Sequence, residues 1–151
     1  MGDLQTGQMA PDFELISQDG TPVRLSQFRG VSPVVIFFYP KDDTPGCTKE
    51  ACEFRDRSSK FKAHGAQLLG ISSDSQDSHA RFAVKYGLPF ALLSDHGGRV
   101  RKLFGVKKSL GILPGRATYV IDREGVLRHV FNSQTQPERH IDEALEALSR
   151  L

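Results

Sequence analysis

The sequence is short of cysteine, short of net charge and has no long hydrophobic run. Each shortage closes off a class of protein. Two cysteines in 151 residues cannot build the disulfide framework of a small secreted scaffold. The 20 Lys+Arg against 18 Asp+Glu leave a formal net charge of +2 with no basic run, too weak a field to argue for a nucleic-acid partner. The longest apolar run, Val34 to Tyr39, has the length of a strand and not of a membrane span. Met1-Gly2-Asp3-Leu4 carries no basic or apolar signal region, which predicts a cytoplasmic protein; an organelle is compatible if a transit peptide was removed. No repeat, low-complexity tract or linker is visible, so a single domain over 1–151 is expected, large enough to bury a core without staples. The histidines His64, His79, His96, His129 and His140 show no ligand spacing with the cysteines, so no metal site is expected.

What is present is an alternation of short apolar segments. Phe13, Leu15 and Val23, Leu25 flank the turn signal Gln18-Asp19-Gly20, which predicts an N-terminal β-hairpin. Ser26 is placed to cap a short helical turn ending near Gly30. Val34-Val35-Ile36-Phe37-Phe38-Tyr39 is β-branched and aromatic throughout, the pattern of a strand buried on both faces. Pro40 ends it, and Lys41 to Gly46 forms a polar loop. A helix is expected from about Cys47 or Thr48 to Ala63, with Ala51, Phe54, Ser58 and Phe61 on one face. A strand over 66–72, a helix opened by Ser75 and ended by Gly87, a short strand over 90–93 and a short helix over 98–104 follow. A second hairpin turns at Asp122 to Gly125, and Pro137 opens a last helix with Ile141, Ala144, Leu145 and Leu148 on its apolar face. This order predicts an α/β fold, a central mixed sheet flanked by helices. It resembles the thioredoxin-like arrangement, in which a buried strand feeds a loop and the loop a helix bearing a cysteine.

The two cysteines are unequal by helix phase. Cys47 lies at a helix N-terminus, where unpaired N–H groups and the positive end of the dipole favour a thiolate. It shares the apolar face with Ala51 and Phe54, whereas Cys52 shares the polar face with Arg55, Ser59 and Lys62. Residues i and i+5 of an α-helix lie about 8.7 Å apart by Cα, and a disulfide needs less than about 7 Å. If these two cysteines bridge, the first turns of the helix must unwind. The spacing also differs from Cys-x-x-Cys oxidoreductases, whose pair closes with little rearrangement.

The run Pro40-x-x-x-Thr44-x-x-Cys47 resembles the active-site signature of the peroxiredoxins. The longer stretch Phe37-Phe38-Tyr39-Pro40-Lys41-Asp42-Asp43-Thr44-Pro45-Gly46-Cys47-Thr48-Lys49-Glu50-Ala51-Cys52 resembles the bacterioferritin comigratory, or Q-type, subfamily, and Pro114-Gly115-Arg116-Ala117-Thr118-Tyr119-Val120-Ile121-Asp122 is similar to the strand carrying that family's arginine. The resemblance implies a thiol peroxidase acting on hydrogen peroxide and organic hydroperoxides, with no cofactor. Cys47 matches the peroxidatic cysteine, which passes through a sulfenic acid. Thr44 matches the hydroxyl that hydrogen-bonds thiolate or peroxide, and Pro40 the residue that shields the pocket from water. Arg116 matches the arginine that stabilises the thiolate and the departing oxygen. Glu50 falls in the same motif and is expected to orient an arginine or to cap locally. Cys52 matches the resolving cysteine of some Q-type members, implying a Cys47–Cys52 disulfide recycled by thioredoxin or a glutaredoxin; such members are often monomers. Two other readings of a thioredoxin-like chain with two cysteines stand beside this one: a thiol–disulfide oxidoreductase, and a redox sensor or chaperone-like binder.

Overall fold

The structure, a computed structural model, describes residues 4–108 and 115–151. The Met1-Gly2-Asp3 start and Pro114 of the second motif lie outside the described residues. In chain order the elements are β1 (Glu14–Ser17), β2 (Pro22–Arg24), a 3-10 turn over Leu25–Phe28, β3 (Val34–Phe38), α1 (Pro45–Asp56), α2 (Ser58–Ala63), β4 (Gln67–Ser72), α3 (Gln76–Tyr86), β5 (Ala91–Ser94), a 3-10 turn over His96–Gly98, α4 (Arg99–Phe104), β6 (Ala117–Ile121), β7 (Leu127–Asn132) and α5 (Pro137–Ser149).

The strands form one seven-stranded sheet in the order β2-β1-β5-β4-β3-β6-β7. The inner pairs β3–β4 and β4–β5 are parallel, and the outer pairs are antiparallel. β3 is the strand that the continuous apolar run requires. Its residues alternate between two cores: Val35, Phe37 and Tyr39 pack with Phe54, Phe61, Phe82 and Ile141, while Val34, Ile36 and Phe38 pack with Phe13, Val100, Phe104 and Tyr119. On the first side, Phe37 stacks on Phe54 with ring centroids 4.4 Å apart, and Phe54 meets Phe61 at 5.5 Å. These contacts seat α1 on the sheet.

The predicted elements are found, with three local differences. The expected long helix is two: α1 starts earlier, at Pro45, and ends at Asp56, and Arg57 (φ −106°, ψ 14°) separates it from α2. Pro45 suits a first helical turn because its fixed φ is helical and its missing N–H would be unpaired there. Of the face expected from Ala51, Phe54, Ser58 and Phe61, all but Ser58 are buried, and Ser58 is half-exposed just after the break. Ser26 does not cap the 3-10 turn; it lies inside it, its N–H donating to Asp12 Oδ1 at 2.9 Å, while Gln27 Oε1 accepts from Arg24 N at 2.9 Å. By contrast, Ser75 Oγ does accept from Ser78 N at 3.1 Å to cap α3, which ends at Gly87 as expected.

Register fixes the geometry that matters for chemistry. Phe38, the last residue of β3, pairs with Ala117, the first of β6. Pro40 and Arg116 therefore leave the sheet at the same edge, where α1 begins. Phe54→Ala removes the ring that seats α1 and, as a fully buried aromatic truncation, is expected to cost about 3–5 kcal/mol. Urea unfolding checks this as a lowered midpoint at an unchanged m-value.

Candidate active site

Thr44 holds the N-cap position of α1, so Cys47 falls within the helix's first turn, where the backbone N–H groups lack intrahelical partners. Its side chain points inward and the residue is 2 % exposed. Gly46 beside it lets the guanidinium come close: a Cβ there would lie 3.1 Å from Arg116 Nη2, which would have to shift by a few tenths of an ångström. Arg116 is buried and makes a fork. Nη2 donates to Cys47 Sγ at 3.4 Å, and Nη1 donates to Glu50 Oε1 at 2.6 Å. Cys47 and Glu50 stand three apart on one face of α1, so a single guanidinium reads both.

Glu50 is fully buried and continues inward. Its Oε2 makes no hydrogen bond and lies 3.6 Å from His140 Nδ1 on α5. His140 Nε2 faces the Ser133 carbonyl at 2.8 Å, which places its proton on Nε2 and leaves Nδ1 to accept from the Thr118 hydroxyl at 2.8 Å. Burial pushes the Glu50 carboxyl up to about 8, against the opposing pull of Arg116, and burial pushes His140 down to about 4. The one lone pair of Nδ1 is taken by Thr118, so Glu50 Oε2 stays without a hydrogen-bond partner, in an environment that favours the neutral carboxyl.

The other expected residues are placed as follows. Thr44 Oγ1 donates to the Lys41 carbonyl at 2.9 Å, so its proton is spent within the loop. Pro40 is half-buried and lies two residues past the end of β3. Cys52 is half-buried on the opposite side of α1 from Cys47, and burial pushes its thiol up despite Arg55 nearby. Both cysteines are free thiols and α1 is continuous across them. The structure thus brings Cys47, Glu50 and Arg116 together and keeps Cys52 apart.

Three features escaped the sequence reading. His140 had a signal: it sits on the buried stripe of α5 with Ile141, Ala144 and Leu148, a polar residue on an apolar face. Arg101, buried in α4, had none. The third is a network behind the loop. Tyr39 Oη donates to Asp42 Oδ1 at 2.6 Å, His79 Nδ1 and Ser78 Oγ meet Asp42 Oδ2 at 2.7 and 2.8 Å, and Asp74 Oδ2 accepts from Asp42 N at 2.8 Å. Asp42, Asp74 and His79 each offer a ligand atom within 4.8 Å of the others. Protein donors already engage these groups, so the cluster acts as a bolt between loop and α3.

Most of the chain is similar to known proteins. Residues 6–130 match the AhpC/TSA family. The chain belongs to that family, in its peroxiredoxin Q branch. It is 58 % identical over 146 residues to the chloroplastic peroxiredoxin Q of Sedum lineare, covering 96 % of this chain and 78 % of that protein. Among solved structures it is similar to the peroxidoxin BcpB of Mycobacterium tuberculosis, at 44 % identity and a TM-score of 0.90 over 98 % of each chain. It is also similar to the Xanthomonas campestris bacterioferritin comigratory protein, studied for alkyl peroxide reduction, at 33 % identity and a TM-score of 0.86 over 97 % of this chain and 96 % of that one. The chain is a thiol peroxidase with the thioredoxin-like fold of these relatives. Among the described residues no helix is long and apolar enough to cross a membrane.

The two buried groups give α1 a pH dependence of definite sign. Glu50 has a folded value above its ordinary one, so its stabilising contribution is complete below about 4.5 and is lost as pH rises through about 8. His140 is depressed, so its contribution is complete above about 6.5 and is lost as pH falls through about 4. Amide exchange across 48–54 in the reduced protein, corrected for the intrinsic chemical rate, is therefore expected to rise from about pH 6 to about pH 9, and Glu50→Gln to flatten that rise.

Proposed function

We propose that Cys47 is the peroxidatic cysteine and Cys52 the resolving one, in a cycle that leaves an intrachain disulfide. The observation that carries this is the 3.4 Å contact between Arg116 Nη2 and Cys47 Sγ on a helix N-terminus. The Cys47 thiolate attacks the nearer peroxide oxygen. An S–O bond forms, the O–O bond breaks, and the leaving alkoxide or hydroxide takes a proton to depart as alcohol or water. Arg116 donors stabilise charge on the sulfur before the step and on the departing oxygen during it. Thr44 keeps acceptor lone pairs for a peroxide O–H while its own proton is on Lys41. Pro40 covers the pocket and offers no N–H to water.

In the second step the Cys52 sulfur attacks the Cys47 sulfenic acid; the S–S bond forms and the oxygen leaves as water. With residues 47 and 52 about 8.7 Å apart by Cα on an intact helix, the first turns of α1 must unwind for this to happen. An external dithiol then reduces the disulfide and is itself oxidised. Thioredoxin fits this role, and a glutaredoxin is the other donor of that chemistry. The substrates are hydrogen peroxide and organic hydroperoxides, the latter in keeping with the alkyl peroxide activity named for the Xanthomonas relative. Because both cysteines sit on one helix, one chain suffices, and we take the working unit to be a monomer. The compartment must regenerate the dithiol donor. The cytoplasm does so, and so does the interior of a plastid such as the one named for the Sedum relative.

Cys47→Ser is expected to abolish peroxide consumption. Cys52→Ser is expected to reduce one equivalent of peroxide and then stall as sulfenic acid or over-oxidise, with turnover restored only by a small thiol. Steady-state assays with thioredoxin and its reductase, and mass spectrometry of the oxidised chain for a Cys47–Cys52 link, read both. Normal cycling of Cys52→Ser with thioredoxin would remove the resolving role. A Cys47 reaction with peroxide no faster than that of free cysteine in rapid mixing would remove the peroxidatic one.

A further inference from the structure

We propose that Arg101 is a positioning residue for peroxide reduction: it ties together the two segments that deliver Pro40 and Arg116. The proposal rests on Cys47 being the reacting group.

Arg101 lies in α4 and is 8 % exposed. Its guanidinium makes two hydrogen bonds, both to main-chain carbonyls. Nη2 donates to Tyr39 O at 2.8 Å and Nη1 to Gly115 O at 2.6 Å. These carbonyls are not arbitrary. Tyr39 O belongs to the peptide that joins Tyr39 to Pro40, just past the end of β3. Gly115 O belongs to the peptide whose nitrogen is that of Arg116, just before β6. Sheet pairing ends at Phe38 and Ala117. Beyond that pair, one side chain sets the distance between the Pro40 loop and the Arg116 backbone. Gly115 shows how tightly this segment is held, since a Cβ there would lie 1.7 Å from the Lys107 carbonyl oxygen. The guanidinium carbon also lies over the Phe38 ring, 5.8 Å from its centroid, within cation–π range.

Three variants test the tie. Arg101→Gln and Arg101→Met remove the fork, and Arg101→Lys cannot make both hydrogen bonds. The readouts are the second-order rate constant of Cys47 oxidation by hydrogen peroxide in rapid mixing, at a temperature where every variant is folded, and thermal unfolding. Arg101→Gln and Arg101→Met are expected to lower the rate constant about 10–100-fold, and Arg101→Lys about 3–10-fold. A purely structural stitch would lower the unfolding temperature in all three and leave the rate constant of the folded protein within twofold of the parent, which overturns the proposal. If Arg101→Met does not fold, the Lys and Gln variants decide. A parent protein whose Cys47 fails to react rapidly identifies failure of the underlying peroxidase reading instead.

Discussion

The guanidinium of Arg116 bridges two residues of one helix, and the rest of the site follows from that. Cys47 and Glu50 share a face of α1 only while its first turns are wound. The bridge therefore reports on helix integrity. It also sits between the two cysteines, because Glu50 lies inside the segment that must unwind for Cys47 to reach Cys52. In the proposed cycle, sulfenic acid formation uses the wound helix and disulfide formation destroys it. The sulfur cannot be under the arginine and bonded to Cys52 at once. Two steps are thus kept apart by backbone geometry and need no separate regulator.

Movement of this kind needs a fixed frame, and the loop ahead of α1 supplies it. Asp42 is held by Tyr39, Ser78 and His79, and Asp43 by Lys85 Nζ and Tyr86 Oη at 2.8 Å each. Asp43 is also the one non-glycine residue with positive φ among the described residues, at 58°. That backbone form is uncommon for an aspartate and persists when side-chain bonds hold it. All of these bonds run to α3 or to the strand ends. None runs to α1 beyond its first turn. The loop that presents Thr44 and Cys47 can stay in place while residues 48–54 open.

Much of this was legible in the sequence where a physical signal is local. The apolar run at 34–39 gave a strand buried on both faces, helix phase separated Cys47 from Cys52, and the spacing of Pro40, Thr44 and Cys47 carried the family. What was not legible depends on partners distant in sequence. The break at Arg57 leaves the apolar spacing of Phe54 and Phe61 nearly in phase, so periodicity alone joins α1 to α2. Thr44 looks like a hydroxyl aimed at the sulfur until the loop closes and the Lys41 carbonyl claims its proton. His140 shows in the sequence only as a polar residue on an apolar helix face, and its role appears when β6 brings Thr118 beneath it. Arg101 is one arginine among many, since nothing near it in the sequence shows that two carbonyls, 62 and 14 residues away, converge on it.

Cys52, assigned the resolving step in the proposed cycle, fits the same logic from the other side. While α1 is wound, burial holds the Cys52 thiol above its ordinary value, which keeps it protonated and a poor nucleophile. Unwinding exposes it and removes that penalty. The same event takes Glu50 out of a site that favours its neutral form and into water, where it ionises. Opening therefore activates the attacking sulfur and releases a proton from Glu50 in one motion. Both effects make opening easier as pH rises, and both act at the second step rather than at the first. In the proposed cycle peroxide reduction uses the closed form, where Arg116 stays paired with Cys47. The balance between closed and open α1 is then the quantity on which the two halves of the cycle pull in opposite directions, and the buried Glu50–His140 contact lies where that balance is set.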